Sequence, residues 1–158
     1  TTGKGKDLSY AGGSKDIVEV GQSKLGAAEP DGDDEFIEFY NKTAGASFGT
    51  DVAWCAIFVS WCARNAGVDT SIIPNFADCD DGWTFFQQGG SYGVKGSYIP
   101  KRGDLFFLST HVGIVVDCNG DTYTTIEGNV SDEVGSLTRR LDDSNLIGFG
   151  IPKYTKTV

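Results

Sequence analysis

The feature that most constrains this chain is the segment over residues 52–66, VAWCAIFVSWCARNA, which is apolar on almost every side of a helix. Only Ser60, Arg64 and Asn65 are clearly polar, and Gly67 follows as a plausible helix stop. A helix that is hydrophobic all round has no face to present to water, so it must be buried. The rest of the chain therefore has to supply the layers that cover it.

The last third of the chain carries the pattern of short β-strands. From residue 104 onward, apolar and β-branched runs are separated by turn residues such as Asn119-Gly120. The runs cover residues 104–109, 111–117, 121–128, 134–141 and 146–151. They predict an antiparallel β-meander. Helices followed by strands predict an α+β domain in which the buried helix packs on one face of the sheet.

Two further helices are predicted before the buried one. Ser14 is a candidate N-cap for the first, which Gly26 would end. Its apolar positions recur near helical spacing at Ile17, Val18 and Leu25. The second is predicted to follow the acidic residues 33–35, which would lie at the positive end of its dipole.

The remaining segments predict connections. Residues 67–103 are rich in Gly, Asp, Ser and Pro and predict an irregular segment, with one amphipathic patch around Trp83, Phe85 and Phe86. A loop of this length is usually functional. Residues 1–13 are polar and Gly-rich and predict a flexible linker, which leaves residues 14–158 as the predicted domain.

Charge and length exclude several classes of function. A chain of 158 residues supports one domain with a sizeable core. Its formal net charge of −9 disfavours binding to nucleic acid and to anionic membranes. No stretch approaches the roughly 20 apolar residues that cross a bilayer. The absence of Met, even at the start, predicts a module of a larger multidomain chain.

Cys55 is the candidate nucleophile. It lies in the first turn of the predicted buried helix, where unpaired N–H groups and the helix dipole favour an anion and lower the thiol pKa. Cys62 lies two turns further on without that advantage, and free cysteine of this kind is usually part of the core.

The general base and its partner are predicted from the strands. His111 is the sole imidazole, and it opens a strand directly after a loop. Along that strand it has the opposite parity to Val112 and Ile114, so it should point away from the face that they bury. Downstream, Glu127 and Asn129 share a parity, and either could accept the imidazole N–H and fix its tautomer.

The cysteine spacing does not indicate a metal or cofactor site. Cys55, Cys62, Cys79 and Cys118 form no CxxC pair, and one histidine is available, so we predict no metal and no cofactor. The acidic run over residues 31–36 lacks the glycine and the bidentate glutamate of an EF-hand loop and instead predicts a helix start. Disulfide pairing of Cys62, Cys79 and Cys118 is left open by the sequence.

Four ordered motifs resemble those of the CHAP domain, the cysteine, histidine-dependent amidohydrolase/peptidase of bacterial cell walls and phage lysins. They are the strings WCA and FVSWC over residues 54–62, PKRGDL over residues 100–105, HVGIV over residues 111–115 and IEGN over residues 126–129. The resemblance spans about residues 14–151. All four motifs occur in the family's order, which makes the resemblance specific.

The resemblance implies a papain-like α+β fold and a role for each matching residue. Cys55 would be the nucleophile, His111 the general base and acid, Glu127 the group that orients the imidazole, and Asn129 an auxiliary polar residue. Trp54, next to the nucleophile, is a candidate substrate-binding residue. Some relatives carry calcium in an Asp-rich loop before the cysteine, but residues 49–54 hold one carboxylate here, so that site is predicted to be absent.

The resemblance also implies a substrate and a location. Many relatives cut the stem peptides or cross-bridges of peptidoglycan, so we expect an endolysin-like cysteine hydrolase that acts outside the cell or in the wall. The bond cut is either the glycan-to-peptide amide or a peptide bond. Two alternatives stay open: an acyl-transferring papain-like enzyme, and a non-catalytic module that binds the cell wall.

Overall fold

The computed structural model describes residues 13–49 and 52–154, which form helices followed by strands. The helices of this part of the chain are α1 (Ser14–Gln22), α2 (Asp34–Ala44), α3 (Cys55–Asn65) and α4 (Cys79–Gln88). Its strands are β1 (Tyr92–Val94), β2 (Leu105–Leu108), β3 (His111–Asn119), β4 (Thr122–Val130), β5 (Glu133–Gly135), β6 (Thr138–Arg140) and β7 (Leu146–Gly150). None of these helices is long and apolar enough to cross a membrane.

The strands form one antiparallel sheet, in the order β1-β7-β2-β3-β4-β5, with β6 also paired to β4. Strands β2, β3, β4 and β5 follow one another as the predicted meander. The last strand instead returns to the other side of β2 and pairs with both β2 and β1. The α+β prediction is therefore confirmed, and the meander is extended by a returning strand.

Helix α3 is the centre of the core. All nine residues from Cys55 to Ala63 are buried, which is what an apolar surface on every side requires. The helix contacts β3 and β4 on one side and α1 and α2 on others. Phe36 of α2 packs edge-on against Phe58 and Trp61 of α3, with ring centroids 5.1 and 5.0 Å apart.

The sheet is covered on both faces. Alternate residues of its central strands pack with α3 in the main core; they are Leu105, Phe107, Val112, Ile114 and Ile126. The residues between them form a second apolar cluster on the opposite face; they are Phe106, Leu108, Val115, Tyr123, Leu146 and Phe149. Because both faces are buried, the central strands carry near-continuous apolar runs.

Two polar side chains of α3 hold the segment that follows it. The buried Ser60 hydroxyl lies 3.0 Å from the carbonyl oxygen and from the amide nitrogen of Phe76. Arg64 donates from Nε to the carbonyl of Val68 at 3.1 Å and from Nη1 to Asn75 Oδ1 at 2.8 Å. These hydrogen bonds fix the chain that leads into α4.

Three predictions about the first helices need correction. The N-cap of α1 is Gly13, whose N–H donates to Asp16 Oδ2 at 3.0 Å, and not Ser14. The helix ends at Gln22, so Leu25 lies outside it and is 51% exposed. Helix α3 begins at Cys55, three residues later than predicted. Of the predicted linker, residues 1–12 lie outside the described part of the chain.

The prediction that residues 67–103 are irregular is wrong in part, since they include α4 and β1. The helical pattern was hidden by Gly82, a poor helix former in the middle of α4. A side chain cannot replace it, because a Cβ there would lie 2.6 Å from the Phe76 ring. The predicted strand over residues 134–141 is also wrong, since it is divided into β5 and β6.

We expect Gly128→Ala to lower the free energy of unfolding by about 1–3 kcal/mol, the usual cost of overpacking a core. A Cβ at Gly128 would lie 2.5 Å from Cβ of Phe58 in α3. The matched control is Gly135→Ala, where the nearest atom, in Val130, would be 3.6 Å away. Urea unfolding of both variants tests this, and equal stability would contradict the close packing of β4 on α3.

Candidate active site

Cys55 is the first residue of α3, and its thiol interacts with three groups. Its Sγ lies 3.8 Å from Sγ of Cys79, and it also interacts with the His111 imidazole and the backbone N–H of Val112. Hydrogen bonding from Cys79, helped by His111 and Val112, outweighs burial and lowers the pKa of Cys55 to about 4. The sulfur is therefore a thiolate at neutral pH.

His111 is the first residue of β3 and lies between the thiol and a carboxylate. Its Nε2 is 2.7 Å from Glu127 Oε1, which leaves Nδ1 available to Cys55. Its ring centroid lies 6.1 Å from that of Phe106, on the sheet face opposite to Val112, as the strand parity predicts. Burial lowers the pKa of His111, but hydrogen bonds with Cys55 and Glu127 outweigh it and raise the pKa to about 9.

Glu127 is a fully buried carboxylate in β4. Arg139 of β6 holds it with two hydrogen bonds, Nε to Oε2 and Nη2 to Oε1, each 2.7 Å long. The hydroxyl of Thr125 donates to Oε2 as well. Burial raises the pKa of Glu127, but hydrogen bonds from Arg139, His111 and Thr125 lower it to about 2. The carboxylate therefore stays negative beside the imidazole.

The lack of a side chain at Gly113 leaves room for the Glu127 carboxylate beside the His111 imidazole. A Cβ at Gly113 would lie 2.9 Å from Cγ of Glu127 and 2.5 Å from the ring of Phe106. The glycine of the HVG string thus lets a carboxylate from the neighbouring strand lie under the imidazole two residues away.

The thiol opens onto a cavity of about 460 Å³. Its lining comes from the loop before α3, the start of α4 and the turn before His111; it consists of Phe48, Ala53, Cys55, Ala77, Asp78, Cys79, Asp80, Ser109 and Thr110. Backbone and side chains of several segments converge there, so an extended chain could lie across the sulfur. The arrangement suits attack of a thiolate on a carbonyl carbon with proton transfer by the imidazole.

Asn129 is not the residue that orients the imidazole in this structure, because Glu127 makes that hydrogen bond. Asn129 lies where the β4–β5 pairing is irregular, and its backbone has a φ of 61°, a conformation that Asn adopts more readily than most residues. The regular alternation that would have placed it beside Glu127 is lost there.

The prediction that Trp54 contacts substrate is wrong, since its side chain has no exposed surface. The indole stacks on Phe36 at 5.7 Å, and its Nε1 donates to Glu29 Oε2 at 2.9 Å. Trp54 is also the N-cap residue of α3. It belongs to the core and fixes the start of the helix that carries Cys55.

Sequence reasoning missed Cys79 and Arg139 as members of the site. Cys79 follows Asp78, which caps α4 by accepting a hydrogen bond from the Asp80 amide at 2.9 Å, and this Asp-Cys-Asp string was a usable helix-start signal. Arg139 had no local signal. It reaches Glu127 only because Tyr123 pairs with Arg139 in the register of β4 and β6.

The acidic run over residues 31–36 lies at the start of α2, as predicted, with Asp34 and Glu35 in the first turn. Over residues 13–49 and 52–154, no three His, Cys, Asp or Glu side chains are grouped so that they could hold a metal ion.

These features define a papain-like α+β domain, with a thiol at a helix start and an imidazole at the start of a strand. A family model described as CHAP domain matches residues 47–129, just over half of the chain. The chain therefore belongs to the CHAP domain family, which comprises amidases and peptidases related to peptidoglycan. The matched region contains Cys55, His111, Glu127 and Asn129.

One solved structure, described as the crystal structure of Ly7917, is similar in fold. It has 15% sequence identity and a TM-score of 0.54, and the match covers 88% of this chain and 62% of that chain. The chain thus spans less than two thirds of that structure's length. No curated protein matches at a significant level.

We expect Cys55 to be alkylated by iodoacetamide at pH values far below those at which a cysteine usually reacts. Because its pKa is lowered, the thiolate persists at pH 5–7 and is lost as the pH falls through about 4. Peptide mass analysis across pH 3–10 resolves each cysteine. The fully buried Cys62, whose pKa burial raises, is the internal control. A Cys55 midpoint near 8.5 would contradict the thiolate.

We expect Arg139→Gln to lower the free energy of unfolding at pH 7 by about 3–5 kcal/mol, because it breaks a buried ion pair. The lowered pKa of Glu127 stabilises the fold above about pH 4.5, and that stabilisation is lost as the pH falls towards 2. The deficit of the variant should therefore shrink in acid.

The matched control is Arg140→Gln, which removes an exposed arginine paired with the exposed Asp142 and should leave stability nearly unchanged. Thermal unfolding from pH 2 to 7 measures both variants. Equal effects of the two substitutions would show that the Arg139–Glu127 pair does not contribute the predicted amount to the free energy of unfolding.

Proposed function

We propose that this protein is a peptidoglycan hydrolase that cleaves an amide or peptide bond in the stem peptide or cross-bridge by a cysteine thiolate mechanism. The observation that carries the proposal is the arrangement of Cys55, His111 and Glu127, with the imidazole between thiol and carboxylate and an open cavity over the sulfur. Membership of the CHAP family supports the substrate class.

In the first half of the reaction the Cys55 thiolate attacks the carbonyl carbon of the scissile amide and forms a carbon–sulfur bond. The backbone N–H groups at the start of α3 favour the negative charge that develops on the carbonyl oxygen. The His111 imidazolium then gives its proton to the departing amine nitrogen, and the carbon–nitrogen bond breaks. The acyl group remains on sulfur.

In the second half a water molecule replaces the amine. His111, now neutral, takes a proton from the water as the oxygen attacks the thioester carbon. The carbon–sulfur bond breaks, a carboxylic acid leaves, and the thiolate and imidazolium are restored. Glu127 keeps the ring in one orientation and stabilises its positive charge, as the 2.7 Å contact to Nε2 allows. Asn129 is proposed as an auxiliary polar residue.

The charge of the chain bears on how it reaches its substrate. A module with a net charge of −9 gains little from long-range attraction to an anionic wall. We therefore propose that affinity comes from other parts of a larger multidomain chain, through tethering, and that the protein acts outside the cell or in the cell wall.

We expect the purified protein to release new amino groups from isolated peptidoglycan, and Cys55→Ala to abolish that release. His111→Ala should lower the rate by about 10²- to 10⁴-fold, the usual contribution of a general acid–base. Cys118→Ala, which removes a thiol remote from the site, is the control and should keep full activity.

Mass analysis of the products locates the bond and separates hydrolysis from acyl transfer to an added amine. Equal release by the parent protein and Cys55→Ala, or none by either, would contradict the proposal.

A further inference from the structure

We propose that Cys79 is a resolving cysteine, which forms a reversible disulfide with Cys55 under oxidising conditions and so protects and silences the site. The two Sγ atoms are 3.8 Å apart across the same cavity. Neither cysteine forms a disulfide in this structure.

The positions of the two cysteines favour a bond between them. Each is the first residue of a helix, Cys55 of α3 and Cys79 of α4, and both line the same cavity. A disulfide needs an S–S distance of about 2.05 Å, so the sulfurs must approach by less than 2 Å. The hydrogen bonds from α3 hold the chain as far as Phe76, so such a shift would fall on the non-helical residues Ala77 and Asp78 just before Cys79.

The charges around the pair assign different roles to its members. A Cys55 thiolate is stabilised first by the hydrogen bond from Cys79 and then by the His111 imidazole and the Val112 N–H. The Cys55 thiolate and burial, together with the carboxylates of Asp78 and Asp80, raise the pKa of Cys79. Cys55 is therefore the sulfur that reacts with an oxidant first, and Cys79 stays protonated beside it until the second step.

Hydrogen peroxide serves as the oxidant in the following balance. The Cys55 thiolate attacks one peroxide oxygen, the O–O bond breaks, and a sulfenic acid forms while hydroxide takes the His111 proton and leaves as water. The sulfur of Cys79 then attacks the sulfenic sulfur, the S–O bond breaks, and the proton of Cys79 leaves with the hydroxyl group as water. Two thiols and one peroxide give one disulfide and two waters.

A dithiol reductant reverses the reaction by thiol–disulfide exchange. Without a partner, the Cys55 sulfenic acid would meet further peroxide and reach the sulfinic acid, which such reductants do not restore. A second thiol at 3.8 Å thus converts a permanent loss of the nucleophile into a temporary one.

The other two cysteines are excluded as partners by their positions. Cys62 has no exposed surface and faces the core. Cys118 lies seven residues beyond His111 in β3, roughly 23 Å away at the usual rise of a strand. Both therefore supply matched controls for the pair.

The decisive experiment maps thiols after peroxide treatment of the reduced, full chain. Free thiols are blocked with an alkylating reagent, and the protein is digested without reduction. We expect a cross-linked peptide that joins Cys55 to Cys79 and is two hydrogens lighter than the sum of its parts. The Cys118→Ser variant should give the same peptide. Cys79→Ser should give no such peptide and should gain oxygen on Cys55 instead.

Recovery of function gives the second readout, and this part of the inference rests on the proposed function. After peroxide and then dithiothreitol, the parent protein and Cys118→Ser should regain most of their own reduced activity on peptidoglycan. Cys79→Ser should regain at least fivefold less of its own. A reduced parent protein that is inactive on peptidoglycan would contradict the proposed function but leave the thiol mapping as a test of the disulfide.

Two outcomes would overturn the inference. One is a parent protein whose Cys55 reaches the sulfinic acid as fast as that of Cys79→Ser. The other is a peroxide-treated protein in which both Cys55 and Cys79 are still alkylated, or in which Cys55 is linked to another cysteine.

Discussion

The site depends on one buried charge, the carboxylate of Glu127. A lone carboxylate in an apolar interior would take up a proton, and a neutral acid could not hold an imidazolium. Arg139 prevents this with two 2.7 Å hydrogen bonds, although burial by itself would raise the pKa of Glu127. Glu127, after Cys55 itself, raises the pKa of His111, and the His111 imidazolium joins Cys79 in lowering the pKa of Cys55. A residue remote from the sulfur thus contributes to its reactivity through the imidazole.

The second constraint is the packing of α3, which decides where the sulfur lies. Its apolar surface has to be covered on all sides, and the sheet supplies one of those sides through β3 and β4. The strands that bury the helix are also the strands that carry His111 and Glu127. Hydrophobic burial therefore fixes the distance between groups that are far apart in the chain, and Gly128 sets how closely β4 approaches α3.

The parts of this structure that could be predicted from sequence are those with a local signal. The burial of α3, the start of α2 and the positions of β2, β3, β4 and β7 follow from periodicity and turn residues. Helix α4 was not predicted because a buried glycine, Gly82, interrupts its helical sequence pattern. The role of Arg139 could not be predicted for a different reason. Its contact with Glu127 depends on the register of β4 and β6, and no pattern in the neighbouring residues indicates that register. Trp54 was misassigned because sequence proximity to a nucleophile does not reveal which side of a helix start is open.

The two helix starts at this site show what separates a nucleophile from an ordinary thiol. Cys55 and Cys79 both occupy the first position of a helix, so the helix dipole and the unpaired N–H groups favour a thiolate equally at both positions. The hydrogen bond between the two sulfurs is the largest cause of both pKa shifts, and burial adds to the rise at Cys79. The other groups near each sulfur differ: an imidazole and a backbone amide for Cys55, and two carboxylates in the adjacent sequence for Cys79. Those neighbours place the negative charge on Cys55 and the proton on Cys79. The helix position alone is thus insufficient, and the strand that brings His111 decides which of the two sulfurs can react.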